Sequence, residues 1–333
     1  MVPWLIKLSE RQGWLESPGG LRKIHSHPTS RLGGVGVFVS FFIALKVAQI
    51  VVGFELSPLY LLGICLVFLT GLVDDFYSIS PWLKLTGQIM GALCLIEGGV
   101  LIQFFTLPLG SITYLGWLGY PLTLLWIVGI TNALNLIDGM DGLSAGITAI
   151  AACALGVVAW QEGRLLPALI SFVLLGAVLG FLRYNFPPAR VFLGDGGALF
   201  LGSMLAVISV QGALKSTTVF TLSVPLLILG VPVFDTLFAI VRRRKKKLSI
   251  LYPDQGHFHH RLLERGYSPR KVVLIFYLIS GIFGAAAIVI NKFVTNSTYF
   301  LLFLLLCFAF FWRWGKWLGV TEVVEEGEQL DKN

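Results

Sequence analysis

Long apolar runs alternate with short polar breaks along almost the whole chain. About ten of the runs are long enough to cross a bilayer as helices, and hydropathy places them at roughly 33–53, 57–73, 85–104, 116–137, 143–160, 164–182, 197–213, 219–241, 271–291 and 297–317. Residues 105–115, Phe-Thr-Leu-Pro-Leu-Gly-Ser-Ile-Thr-Tyr-Leu, alternate and turn instead, which predicts a short hairpin or a re-entrant piece. Residues 1–31 are basic and broken by Ser-Pro-Gly-Gly, so they are expected to form a polar segment leading into the first full span. The stretch after Trp317 is acidic and is expected to be mobile.

Composition supports the class. Of 333 residues 56% are hydrophobic and only 13% charged, about half the charged fraction of a soluble domain, and the mean hydropathy is +0.82. The expected fold is therefore an all-α polytopic integral membrane protein with about ten transmembrane helices. Cys65, Cys94, Cys153 and Cys307 all lie in apolar stretches without ligand spacing, so they read as small hydrophobes, not as a disulfide or zinc set. No cleavable signal peptide is evident.

The net charge of +7 does not point to nucleic acid, because most of it borders hydrophobic segments, as in loops facing anionic headgroups. Lys and Arg gather in the N-terminal segment, the 74–84, 183–195 and 242–271 loops and the C-terminal segment. The opposite loops hold only Arg164, Lys215 and Lys292, and Lys46 falls within a span. That asymmetry places both termini in the cytoplasm. The domain reading is a single membrane-embedded unit, 1–318, with a cytosolic segment 1–31 and a basic, histidine-bearing cytosolic loop 242–270. An acidic cytosolic tail, 319–333, follows.

Every chemically suggestive cluster then falls on the cytoplasmic face. Asn132-Ala-Leu-Asn135-Leu-Ile-Asp138-Gly-Met-Asp141-Gly joins two apolar runs. If helical, Asp138 and Asp141 lie about 60° apart on one face, with Asn135 a further step round. Acids are costly near hydrocarbon, so their clustering suggests a cation or a polar substrate. The plainer alternative is that Asp141 caps the helix beginning at Gly142. Asp74 and Asp75 end the second span, at the negative end of its dipole, where Lys84 or Mg²⁺ would compensate them. Neighbouring side chains diverge, so one acid can face the site while the other supports it; a solvated loop is the alternative.

Asp195, in Gly194-Asp195-Gly196-Gly197, sits where a helix should begin, and the glycines permit close backbone approach. Free N–H groups there favour phosphate, and an acid can hold the accompanying Mg²⁺; an ordinary N-cap is the alternative. Asp235 lies inside a span, touching substrate or pairing with a basic neighbour. The run Arg242–Lys247 reads most simply as a headgroup anchor. In the loop beyond it, His257, His259 and His260 hold three of the five histidines, with Arg261 adjoining. No cysteine lies near any loop, so a hard ion with a diphosphate suits this cluster better than zinc.

These blocks together resemble the polyprenyl-phosphate N-acetylhexosamine-1-phosphate transferases, the membrane relatives of phospho-N-acetylmuramoyl-pentapeptide transferase. The matching pieces are His25…Pro28…Arg31-Leu-Gly-Gly, Leu72-Val-Asp-Asp75 with Lys84-Leu-Thr-Gly-Gln88, Asn132 to Leu143, Asn185…Val191-Phe-Leu-Gly-Asp195, Pro232-Val-Phe-Asp-Thr236 and His257-Phe-His-His-Arg-Leu262. They occur in the family's order. The resemblance implies a Mg²⁺-dependent enzyme (Mn²⁺ able to substitute) at the cytosolic membrane surface. It would pass N-acetylglucosamine-1-phosphate from UDP-N-acetylglucosamine to undecaprenyl phosphate, releasing UMP. It further implies Asp195, with Asp75, as metal ligand, and Asp74 and Asp75 serving the lipid phosphate. Lys84, Asn135, Asp138 and Asp141 would line the cleft, Asn185 would face the nucleotide, and His257, His259, His260 and Arg261 would grip the diphosphate and sugar. A homodimer is compatible with such an enzyme.

Three departures accompany the resemblance. Relatives usually begin with another span before the basic loop. They commonly place a small hydroxyl residue near 197–198, where this chain has Gly197-Ala198. Phe258 interrupts what would be consecutive histidines, which favours the N-acetylhexosamine branch over the pentapeptide branch. Rival readings are the same chemistry with a muramoyl-pentapeptide or another UDP-N-acetylhexosamine donor, and a transporter or flippase. A transporter would place its polar groups near the bilayer midplane within two similar halves. Here they gather at one interface, without an internal repeat.

Overall fold

The computed structural model describes residues 1–16, 29–106, 112–213, 223–249, 256–293 and 297–320. His25, His27, Pro28, Lys215 and the acidic tail from residue 321 lie outside the described residues.

The chain opens with α1 (Val2–Gln12), β1 (Leu15–Glu16) and β2 (Thr29–Ser30), then runs through α2 (Gly33–Val52), α3 (Pro58–Tyr77) and α4 (Pro81–Glu97). Strands β3 (Phe104–Thr106) and β4 (Ile112–Tyr114) pair antiparallel, so the stretch expected to turn back is a hairpin. After it come α5 (Gly119–Ile137), α6 (Leu143–Gln161), α7 (Leu165–Asn185) and α8 (Gly194–Ala213). The order closes with α9 (Ser223–Ile228), α10 (Gly230–Lys245), α11 (Phe258–Glu264), α12 (Pro269–Phe293) and α13 (Ser297–Trp317).

Among the described residues, seven helices are long and apolar enough to cross a membrane: α2, α3, α5 with the turn before it, α6, α7, α8 and α12. The chain is thus a polytopic, mostly helical membrane protein. The other three expected spans fall on α4, on α13 and on a segment broken into α9 and α10. The break has a local cause. Pro232 has no N–H to return to the Ile228 carbonyl, and α9 ends there.

Helices α6 and α8 form the centre, with 78% and 83% of their apolar stretches buried against 22–39% in the other five. Small residues allow it, since α6 is built largely of alanine and glycine and packs against α7, α8 and α12. Residues 1–16 differ from the polar segment expected. Val2, Leu5 and Ser9 share one face of α1, are buried, and lie along α2, while the charges stay outside. The Ser9 and Ser30 hydroxyls bond at 2.7 Å, tying α1 to β2.

Two further expectations are corrected. Arg242 and Arg243 are buried, and Arg242 Nη1 donates to the Val320 carbonyl at 3.1 Å; only Arg244 to Lys247 are exposed as an anchor requires. Leu318 and Val320 are buried as well, so the packed body extends past Trp317.

Candidate active site

The polar clusters meet at one end of the bundle, where α3, α5 and α7 finish and α4, α6 and α8 begin. Helices α3 and α8 touch backbone to backbone: a Cβ on Gly71 would lie 2.5 Å from the Asp195 carbonyl oxygen. That approach brings the end of α3 onto the start of α8. Asp75 accepts the backbone N–H of Asp195 at 2.7 Å and of Gly196 at 2.9 Å, one through each carboxylate oxygen. Gly194 makes room, with φ of 75° and a would-be Cβ only 2.7 Å from Asp75 Oδ2. Two of the first N–H groups of α8, which its sequence suggested would be free for phosphate, are therefore taken by Asp75. Asp74 points elsewhere and accepts from Ile79 N at 2.9 Å.

Lys84, in the first turn of α4, is the hub. Its Nζ pairs with Asp74 Oδ2 at 2.9 Å and donates to Asp195 Oδ1 at 2.8 Å and Asn135 Oδ1 at 3.1 Å. Asn135 also donates to Asp195 Oδ1. One turn deeper, Gln88 and Asn132 exchange amide hydrogen bonds at 3.3 and 2.5 Å. This reciprocal pair lies directly beneath Lys84 and Asn135 and sets α4 against α5. The exposed Arg31 lies near enough to attract both Asp75 and Asp195.

Asp138 and Asp141 are not on a helix face. Helix α5 ends at Ile137, and Asp138-Gly-Met-Asp141 is a turn closed by Gly142 at φ 72°. Glycine at 139 and 142 favours a turn over a continuous helix. Asp141 does not cap α6; its Oδ2 accepts from Ala189 N at 2.9 Å. Asn185 is buried with its amide committed to backbone, accepting from Gly142 N and donating to the Val191 carbonyl, each at 2.9 Å. It ties the α5–α6 turn to the 186–191 loop, so its position is set by backbone on both sides. Arg270 and Tyr277 of α12 brace the same region, at the Pro187 and Gly142 carbonyls.

No hydrogen-bond donor among the described residues meets the Asp138 carboxylate. Burial, then the charges of Asp195, Asp75 and Asp141, hold its pKa well above the usual carboxylate range. Among the described residues no three acidic, His or Cys side chains converge as a metal cage. The donor set fits instead a Mg²⁺ arriving with a diphosphate, which needs only one or two carboxylates and keeps its waters. Asp195 and Asp138 have the open oxygens. Asp75 has spent one lone pair of each oxygen on α8.

The histidine loop reaches the same turn. A Cβ on Gly139 would lie 2.5 Å from His259 Nε2, so α11 rests on the Asp138–Asp141 turn. His259 is 1% exposed, neither ring nitrogen has a hydrogen-bond partner among the described residues, and burial followed by the nearby charge of His260 lowers its pKa to about 3. His257 Nδ1 meets Asp235 Oδ2 at 2.7 Å. Arg261 pairs with Glu264 at 3.1 Å, and His260 lies beside His259 at 4.2 Å between rings. Gln88, Asn132 and Arg31 lay within the motif pieces without being given a role, and Asp235, left open between substrate and a basic neighbour, pairs with His257.

Residues 57–213 match the model of glycosyl transferase family 4. Over 309 residues the chain is 39% identical to a "probable undecaprenyl-phosphate N-acetylglucosaminyl 1-phosphate transferase" of Bacillus subtilis, covering 92% of this chain and 86% of that protein. This chain belongs to the polyprenyl-phosphate N-acetylhexosamine-1-phosphate transferase family. It is also 39% identical over 297 residues to the decaprenyl-phosphate N-acetylglucosaminephosphotransferase of Mycobacterium tuberculosis, covering 80% and 74%. A phospho-N-acetylmuramoyl-pentapeptide-transferase of Shouchella clausii is 33% identical over 312 residues, covering 88% and 93%.

Two departures from the family pattern have packing reasons. A Cβ on Gly197 would lie 2.7 Å from Gly34 Cα and 2.5 Å from Leu193 Cδ1, leaving no room for a hydroxyl side chain. Phe258 is fully buried, stacked on Trp314 at 4.7 Å and edge-on to Phe238 at 5.4 Å, and so anchors α11 to the bundle.

Proposed function

We propose that this protein transfers N-acetylglucosamine-1-phosphate from UDP-N-acetylglucosamine to undecaprenyl phosphate, giving undecaprenyl-diphosphate-N-acetylglucosamine and UMP. The supporting observation is the Lys84 hub, which joins Asp74, Asn135 and Asp195 beside the unpartnered Asp138. The site would face the cytoplasm, where nucleotide sugars are made and where the Lys and Arg asymmetry places these loops.

An oxygen of the lipid phosphate attacks the sugar-bearing phosphorus, and the bond from that phosphorus to the UMP oxygen breaks. The two substrates are both anions, so their repulsion is the main obstacle. Lys84 and Arg31 supply positive charge at the meeting point. A phosphomonoester is already close to doubly ionised at pH 7, so Asp74 or Asp75 has at most one proton to accept. Asp75 and Asp195 are held by hydrogen bonds, which favours direct displacement over an aspartyl intermediate. Mg²⁺ held by Asp195 and Asp138 would neutralise the diphosphate and polarise the leaving group. The lipid tail stays in the bilayer, which accounts for a site at helix ends.

The test is UMP release by detergent-purified protein given undecaprenyl phosphate, Mg²⁺ and either UDP-N-acetylglucosamine or UDP-N-acetylmuramoyl-pentapeptide. The expected result is UMP from the first donor, abolished by EDTA and in Asp195→Asn. Release from the pentapeptide donor alone would move the protein to the other branch. No release from either would sink the reading.

A further inference from the structure

We infer that Asp235 is a positioning residue that fixes His257 with Nδ1 as the donor and keeps Nε2 for an anionic oxygen of the sugar-nucleotide diphosphate. The inference rests on the transferase reading above, and extends it to a residue that never needs to touch substrate. Asp235 sits on α10, 1% exposed, between apolar neighbours such as Val231 and Phe238. An ionised carboxylate there must be well bonded. Both of its bonds go to one place: Oδ2 meets His257 Nδ1 at 2.7 Å, and Oδ1 accepts from Phe258 N at 2.9 Å.

Capping α11 would need only the Phe258 bond, which a serine or asparagine could accept. The second oxygen does something a cap does not, since it decides which ring nitrogen carries the hydrogen. The ring is held in other ways too, lying parallel to His259 at 5.7 Å and 8°. His257 Nε2 has no hydrogen-bond partner among the described residues. An acceptor oxygen at Nε2 would require a second ring proton, so the bound form is an imidazolium between two anions. Such a charge-assisted contact is strong and directional, and it weakens if the ring turns or if the Asp235 carboxylate is no longer there to support the second ring proton.

The experiment measures steady-state UMP release by the full-length protein in detergent for wild type, Asp235→Asn, His257→Gln and the double variant. Asparagine can still accept from Phe258 N, so the fold should survive. The expected result is a KM for UDP-N-acetylglucosamine raised about tenfold in each single variant, the effect of losing one charged hydrogen bond. The KM for undecaprenyl phosphate should not move, and the double variant should be no worse than His257→Gln. Equal losses toward both substrates, or additive losses in the double variant, would assign Asp235 a purely structural role and overturn the inference. If Asp235→Asn does not fold, His257→Asn carries the test: it keeps an amide donor for Asp235 but has no Nε2, so a wild-type KM in it overturns the inference. Wild-type protein that releases no UMP defeats the transferase reading and this inference with it. Active wild-type protein with unmoved variants defeats only the inference.

Discussion

The carboxylate of Asp75, at the end of α3, holds the backbone N–H of Asp195 at the start of α8 at 2.7 Å. An acid at the end of its own helix is poorly placed, yet here it faces the positive end of another. The bond also sets the position of Asp195, whose side chain turns to Lys84 and Asn135.

Asp75→Asn should therefore destabilise the protein by about 1–2 kcal/mol, the worth of a charged cap. Asp138→Asn should leave stability unchanged or raise it in EDTA, because its carboxylate has only like-charged neighbours to lose. Thermal unfolding in detergent separates them. A larger loss for Asp138→Asn would reverse the assignment of which acid supports the fold.

Lys84→Met removes the one cation shared by Asp74, Asp195 and Asn135. The pairs keep some solvent, with Lys84 16% exposed and Asp195 32%, so the stability loss should be about 2 kcal/mol, below that of a sealed pair. UMP release should fall at least about a hundredfold, since neither repulsion between the substrates nor the Asp195 orientation is then controlled. Lys84→Arg should recover part of the stability and little of the rate. Full activity in Lys84→Met would refute the hub.

Gln88 and Asn132 form a reciprocal amide pair, so their substitution should be non-additive. Gln88→Leu leaves the Asn132 oxygen without its donor while Nδ2 keeps the Val128 carbonyl at 2.8 Å, and Asn132→Leu takes both bonds of this pair from Gln88, each at a cost of about 1–3 kcal/mol. The double variant should be more stable than the sum of the two predicts, by about 1 kcal/mol. Additive unfolding shifts would mean that each amide is satisfied elsewhere.

His259 gives the fold an acid limit. Its pKa falls from 6.5 to about 3 on folding, so the folded state binds fewer protons. The stability due to this is complete above the unfolded value and is lost as pH drops below it, at about 1.4 kcal/mol per pH unit. Taking the protein from pH 7 to pH 5 should cost about 2 kcal/mol through this residue alone. His259→Phe should flatten that part of the curve. An equal acid shift in the variant would place the proton on another group.

The histidine loop illustrates how far local pattern reaches. His257-Phe-His-His-Arg is conspicuous as a cluster, but Asp235 lies 22 residues earlier and is joined to it only by packing of α10 against α11. Asn185 shows the opposite case. It stood beside the right motif, but its amide serves backbone at both ends.

The membrane class, seven of the ten expected spans, the paired strands β3 and β4 and the acids that share a site are legible in the sequence itself, whereas the break between α9 and α10 is not. Hydropathy is summed over one continuous segment, and helices of similar length return each cluster to the same end of the bundle. Which carboxylate does what is decided only in three dimensions. Asp74, Asp75, Asp138 and Asp195 differ little in local sequence chemistry. They are told apart by partners: Ile79 and Lys84 for Asp74, the α8 N-terminus for Asp75, Lys84 and Asn135 for Asp195, and no hydrogen-bond donor for Asp138. Apart from Ile79, which follows Asp74 in the same turn, those partners come from other helices. Their approach depends on contacts such as Gly71 against Asp195, where two backbones meet because no side chain intervenes.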